Sequence, residues 1–294
     1  MSINYQELVP EKALGKEISR HIFQTYRVKT GLPHEIEQNI EHIKRLNPEY
    51  EYHLFDDEDI KAFILEHYGE VIWGYYQRIA PIYGAARADF FRYLLVYQLG
   101  GVYIDIKSSL DKPLKDVLRP EDQFILTHWD NRPGEQYEGI GIYPELGTLS
   151  RGEYIQWCIA SVAGHPFLRA VILQMLRNID EYTPFRHGAG LWGVLRTTGP
   201  VMYTKVIEAM RPTLVEGKDY RMLDKPQEIG LRYSIFDTAG VYGHKKALKA
   251  NYNKAYTPII VTPDRPLYAK CAKYYLFARL AIRVLGDKIA ARFK

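Results

Sequence analysis

The chain has 294 residues, with 47% hydrophobic and 25% charged residues and a formal charge of +4, values that fit a globular protein with ample core and exclude a disordered or fibrous one. The charge is uneven. From Tyr268 to Lys294 seven basic residues face Asp287 alone, so this tail carries +6 and the preceding 267 residues −2, which excludes the body as a nucleic-acid binder on charge grounds.

The opening stretch, MSINYQELVPEKALGKEIS, is polar and acidic, which predicts neither a signal peptide nor an anchor. Ile18 to Tyr26 reads as a first buried strand centred on Ile22 and Phe23. A helix follows over Pro33 to Leu46, then a short strand over Tyr52 to Phe55. Asp56 and Asp57 are placed to cap a helix running to about Tyr68. Pro81 suits the start of the next helix, with Phe91, Leu94 and Leu95 on its apolar side and Gly100-Gly101 as its left-handed stop. Val102 to Lys107 then alternates as a strand: Val102, Ile104 and Ile106 on one face, Tyr103, Asp105 and Lys107 on the other. Helical patterns recur over Glu153 to Ala163 and His165 to Tyr182. The Gly-rich stretch HGAGLWG reads as a loop, and Thr198-Gly-Pro precedes a helix to about Met210. Helices alternating with short strands predict an α/β fold with a mixed central sheet. No repeat or low-complexity linker divides it, so a single domain over 1–267 is expected, with 268–294 as a basic C-terminal helix.

Several site chemistries are excluded by motif. There is no GxxxxGK[ST] phosphate loop and no GxSxG nucleophile elbow. Gly139-Ile-Gly141 meets Pro144 where a dinucleotide fingerprint needs its third glycine, and His34-Glu35 lacks the second histidine of HExxH. Cys158 and Cys271 form no CxxC pair, which argues against a zinc cluster and suits a reducing compartment. No apolar run reaches the ~18 residues of a membrane span. The 24 tyrosines suit a cleft that stacks on bases and sugars, although half-buried core tyrosines give the same count. What remains is a set of charged residues around one strand. Asp105 stands near a strand end, where side chains leave the packed layer and reach a crevice. Asp89 and Arg92 lie one helical turn apart, on one face; a surface ion pair worth about 0.3–0.5 kcal/mol is the plainer reading of them.

The segment from Ala88 to Asp105, ADFFRYLLVYQLGGVYID, closely resembles the central motif of glycosyltransferase family 32, a family of DXD-containing sugar transferases. Ile22-Phe-Gln-Thr-Tyr26 resembles the first strand of that family, Gly164-His-Pro-Phe-Leu168 its GHPFL, and Thr198-Gly-Pro200 its TGP, in the family's order. The resemblance implies a GT-A-like fold and retaining transfer of a hexose from a UDP- or GDP-linked sugar to a glycan or lipid-linked oligosaccharide acceptor. It implies donor-sugar contacts from Asp89 and Arg92, a nucleotide-sugar site lined by Tyr103 and Asp105, and a base stacked on Tyr26, where the family has Trp. His165 and Pro166 read instead as a helix cap. One departure falls at the heart of the motif: the second metal-binding Asp of the family is Lys107 here. A lysine cannot ligate Mn²⁺ or Mg²⁺ but brings a positive charge of its own. Either Lys107 serves the diphosphate directly, or a metal is held otherwise by Asp105 with help such as His244, or the protein is a catalytically inactive nucleotide-sugar-binding scaffold. Asp111 is too far along the chain to replace the missing ligand. A nucleotidyltransferase is a weaker alternative, since Arg27-Val-Lys-Thr-Gly-Leu-Pro is a poor Gly-rich loop. The setting implied is a bacterial cytosol building surface polysaccharide, with the basic tail docking peripherally on the inner face of the anionic plasma membrane.

Overall fold

A computed structural model describes residues 3–147, 149–236, 255, 257–261, 271, 274–276 and 278. The strands are β1 (His21–Thr25), β2 (Glu51–Phe55), β3 (Gly101–Ile104), β4 (Ser109–Leu110), β5 (Ile125–Thr127), β6 (Cys158–Ser161), β7 (Arg221–Leu223) and β8 (Leu231–Arg232). The helices are α1 (Tyr5–Leu8), α2 (His34–Leu46), α3 (Asp57–Arg78), α4 (Gly84–Leu99), α5 (Leu114–Val117), α6 (Pro166–Asp180), α7 (Pro184–His187), α8 (Gly190–Thr197) and α9 (Pro200–Met210). The central sheet has the order β2-β1-β3-β6, parallel across β2, β1 and β3 and antiparallel at β6. Two short pairs, β4 with β8 and β5 with β7, complete the strands. This is the mixed sheet flanked by helices that the alternation of elements predicts.

Side-chain alternation builds one core on each face of the sheet. Phe23, Tyr103 and Ile159 point to one side, against α3, α4 and α6, where Phe63, Phe91, Phe167 and Tyr203 also pack. Ile22, Val102, Ile104 and Ala160 point to the other, against Ile43 of α2 and the rings of Trp129 and Trp157. In α2 the apolar residues Ile36, Ile40 and Ile43 recur at helical spacing and are buried. In α4 the run Asp89 to Tyr97 is buried on all sides, which marks a central helix. Asp56 caps α3 in a reciprocal box with Asp59. The chain leaves α4 through Gly100 (φ 68°) and Gly101 (φ 97°). A Cβ would lie 2.7 Å from Ala163 N at the first and 2.9 Å from the His21 carbonyl at the second, so only glycine allows this close approach to β1 and β6.

Four readings are corrected. Glu153 to Ala163 is not a helix; its second half is β6, and Gly152 to Val162 is buried throughout, which erases both helical and strand periodicity. HGAGLWG is not a loop but the end of α7 and the start of α8. Gly193 is tolerated within α8 because a Cβ there would come 2.5 Å from Ile259 Cδ1, so packing overrides propensity. Pro81 opens a turn, and α4 starts only at Gly84. The strand expected over Val102 to Lys107 ends at Ile104; Asp105 to Ser108 form a turn closed by Ser108 N donating to the Asp105 carbonyl (2.8 Å), which takes Ile106 out of the strand alternation. His244 lies outside the described residues. So does the tail from residue 268, apart from Cys271, Tyr274, Tyr275, Leu276 and Ala278, which are helical. No helix among the described residues is long and apolar enough to cross a membrane.

Candidate active site

The residues singled out by sequence converge at the C-terminal ends of β1 and β3. Asp89 and Arg92, on consecutive turns of α4, are only 2% and 3% exposed, so they are not a surface pair. Arg92 Nη2 lies 3.3 Å from Asp89 Oδ1 and 2.9 Å from Asp105 Oδ1, bridging the two carboxylates. Its Nη1 donates to the Gln156 carbonyl (2.7 Å) and to Gln156 Oε1 (3.2 Å), and its guanidinium sits 4.7 Å from the centre of the Tyr103 ring. Asp89 is held in place by Gln156 Nε2 donating to Oδ1 (3.0 Å) and Thr198 Oγ1 donating to Oδ2 (2.9 Å). Every strong donor of Arg92 thus has an acceptor, which a guanidinium needs once water is removed.

The turn after β3 adds the last two charges. Asp105 N donates to the Trp157 carbonyl (2.8 Å) on the β6 side, and Gln24 Nε2 donates to the Asp105 carbonyl (3.1 Å) from β1. The backbone of Asp105 is therefore fixed from both neighbouring strands. The Tyr103 hydroxyl lies 3.0 Å from Thr25 Oγ1 and donates to Asp105 Oδ1 (3.3 Å). Lys107 Nζ pairs with Asp105 Oδ2, and its ammonium also faces the Tyr233 ring at 4.7 Å. The result is a row of alternating sign: Asp89, Arg92, Asp105, Lys107. Only the outer end is open, with the Asp105 side chain 19% and the Lys107 side chain 12% exposed. Tyr26, one residue past β1, is half-buried, with Arg27 over its ring at 5.6 Å.

The electrostatics follow from this packing. Burial pushes the Asp89 carboxyl up, against the opposing pull of Arg92. Burial would raise Asp105 as well, but Arg92 and Lys107 together overcome it and hold this carboxyl below the usual range. Burial lowers the Lys107 ammonium, with Asp105 opposing. The two carboxylates and two cations cancel, so an entering anion meets a Lys107 whose charge is balanced by one shared carboxylate.

These residues do not fit a divalent ion. Asp105 already serves two cations and a hydroxyl, and Lys107 places a positive charge where a second carboxylate would have to stand. Asp111 turns away to Arg232, 3.4 Å distant. His165 caps α6, its Nδ1 accepting from Phe167 N (3.2 Å), as its place before Pro166 predicts. Two members of the network were not anticipated: Gln156, hidden in the segment misread as helical, and Thr198, which stands in the quoted Thr198-Gly-Pro200 but has no role there. A buried amide between Asp89 and Arg92 leaves no sequence signal.

Residues 33–125 match the profile of a family described as the glycosyltransferase sugar-binding region containing a DXD motif. The chain is 27% identical over 213 residues to the initiation-specific alpha-1,6-mannosyltransferase of Candida albicans, covering 66% of this chain and 53% of that protein. It is 28% identical over 166 residues to inositol phosphoceramide mannosyltransferase 3 of Schizosaccharomyces pombe, covering 56% and 38%. The chain thus spans about half or less of the length of these curated relatives. Among solved structures, the PaToxG glycosyltransferase aligns at a TM-score of 0.48 and 15% identity over 92% of this chain and 90% of that one.

Proposed function

From a chain that carries the DXD-type sugar-binding region of glycosyltransferase family 32, we propose that the protein is a GT-A-like enzyme that transfers a hexose from a nucleotide sugar to a glycan acceptor, with retention and hence an α-linkage. The observation that carries this reading is the buried row Asp89–Arg92–Asp105–Lys107 at the C-terminal strand ends, where ligands of open α/β sheets bind. In this account the buried Asp89 and Arg92 do not meet the sugar hydroxyls, the role the family resemblance implies, but hold Asp105 in position behind them, and Tyr26 stacks on the base. Asp105 fixes Lys107 and the sugar together. Lys107 exchanges part of its pairing with Asp105 for the departing diphosphate. Charge grows on the diphosphate and on the oxocarbenium-like sugar as the bond breaks, and groups already fixed in a dry site stabilise both. The acceptor hydroxyl attacks from the leaving-group side and gives its proton toward the diphosphate oxygen, so no dedicated base is required. The mannosyltransferases among the relatives make mannose the first sugar to try.

The same ion pair also favours a second reading, a binding scaffold without turnover, because it leaves no carboxylate free for a metal. A thermal-shift panel of UDP- and GDP-hexoses, run with chelator, tests binding first, since a ligand of the folded state raises its midpoint. The expected result is a rise with one nucleotide class that Lys107→Ala reduces. A flat response to every nucleotide sugar overturns both readings; a rise without transfer to any acceptor leaves the scaffold.

A further inference from the structure

Outside the proposed donor site, the N-terminal halves of β1 and β2 bring three metal-ligating side chains together. The parallel register pairs His21 with Glu51 and Phe23 with His53, so all three ligand residues point to the same face of the sheet. His21 Nδ1 and His53 Nε2 are 3.0 Å apart, and the Glu51 carboxylate offers one oxygen to each, at 3.7 Å and 3.5 Å. We propose that His21, Glu51 and His53 bind a divalent transition ion of the zinc class, which ties the edge strand β2 to β1.

Taking one ligand atom from each residue, the three atoms lie within 4.8 Å of one another, a spacing that small side-chain rotations bring to the ~2 Å length of Zn–N and Zn–O bonds. Two imidazoles and one carboxylate are a borderline-soft donor set that prefers zinc, cobalt or nickel over magnesium or calcium. The rings are set by packing: the two imidazoles lie 5.1 Å apart, and Phe23 stacks beside both, 5.8 Å from His21 and 5.4 Å from His53, centre to centre. The side chains of His21, His53 and Glu51 are 37%, 30% and 68% exposed, which leaves an entry path and room for water as the fourth ligand. Among the described residues no lysine or arginine pairs with Glu51, so its charge is available to an ion. Along the paired strands His21 and Glu51 lie four residues, about 13 Å, before the level of Thr25, and His53 two residues, about 7 Å, at ~3.3 Å per residue; none of the three touches the Asp89–Arg92–Asp105–Lys107 row. The inference is independent of the proposed function.

The test uses the whole chain in the Cys271→Ser background, which removes the exposed thiol as a competing ligand. Metal is first stripped with chelator, and Co²⁺ is then titrated while its visible d–d absorption is read, with Zn²⁺ followed by calorimetry. One equivalent should bind with a tetrahedral Co²⁺ spectrum. Glu51→Gln and His53→Gln should each weaken binding about 100-fold or more, since even changes behind the ligands cost 10–100-fold. Zn²⁺ should raise the melting temperature of the parent protein but not of His53→Gln. Glu51→Gln is isosteric and exposed, so it reports on the site even if a histidine variant misfolds. Equal affinity in the parent and Glu51→Gln proteins, or no bound equivalent at all, overturns the proposal.

Discussion

The two ends of β1 treat charge in opposite ways. At its C-terminal end, on the face toward α4, two carboxylates and two cations are packed where Asp89 and Arg92 are 2% and 3% exposed. At its N-terminal end, on the same face, two imidazoles meet a carboxylate that is 68% exposed. Burial forces the first cluster to use up its lone pairs on its own partners, because an unpaired buried charge is too costly. Partial exposure leaves the second cluster held only by the His21–His53 hydrogen bond and the contacts of both with Glu51, which an entering ion can replace. Two sets of titratable groups beside one sheet face therefore differ in kind, a closed row of ion pairs at one end and, as proposed, a cradle for a cation at the other.

The largest expected effect breaks the buried end. Arg92→Ala leaves Asp89 and Asp105 facing each other without their shared cation, and should cost about 3–5 kcal/mol of stability. His53→Ala, at the open end and without metal, should cost about 1 kcal/mol or less. Urea unfolding of both variants against the parent measures the contrast directly. Equal losses would mean that burial does not distinguish the two ends. The sequence pattern alone suggests that the fold tolerates loss of Asp89 or Arg92 because neither lies on an apolar stripe; the burial of α4 on all sides reverses that expectation.

A smaller effect sharpens the comparison by removing the cation altogether. Glu153 is buried; among the described residues its carboxyl accepts only from Trp129 Nε1 (2.7 Å), and Oε2 has no partner. Burial pushes its carboxyl up to about 8, whereas Asp105, less enclosed and flanked by Arg92 and Lys107, lies below the usual range. The signs are opposite. Stability linked to Glu153 is fully present below its unfolded value of 4.5 and is lost as pH rises through about 8. Stability linked to Asp105 is present above the ordinary carboxylate range and is lost as pH falls through its lowered folded value. Glu153→Gln should flatten the alkaline loss and gain roughly 1–3 kcal/mol at high pH, read from unfolding curves across pH. An unchanged pH profile would show that Glu153 is not buried as a neutral acid.

Much of this was legible in the chain, and the gaps have physical causes. Asp56, Pro33, Gly100-Gly101 and His165-Pro166 mark element ends by local chemistry, and those ends are where the sequence places them. Asp89, Arg92, Tyr103, Asp105 and Lys107 converge as their motif implies, since helix, tight turn and strand are contiguous. Gln156 and β6 were missed because a strand buried on both faces shows no period. HGAGLWG reads as loop because glycine propensity registers neither the positive φ that Gly190 adopts at the start of α8 nor the close approach of Gly188 O and Ile259 to Gly193. His21, Glu51 and His53 are invisible as a set, because their spacing becomes a cluster only through the parallel register of β1 and β2.

The central claim is that Lys107 does at this site what a metal ion does beside a second carboxylate. Transfer or slow hydrolysis of the cognate nucleotide hexose, measured with chelator over a pH series for the parent, Lys107→Ala and Lys107→Arg proteins, tests it most directly. The account predicts that chelator leaves the parent active and that Lys107→Ala lowers turnover by about 10²–10³-fold, the loss typical of one transition-state charge contact. Because burial lowers the Lys107 ammonium, parent turnover should fall as pH rises through that lowered value, and Lys107→Arg should remove this alkaline limb. Loss of activity in chelator with recovery on adding Mn²⁺, or a fully active Lys107→Ala protein, would contradict the account.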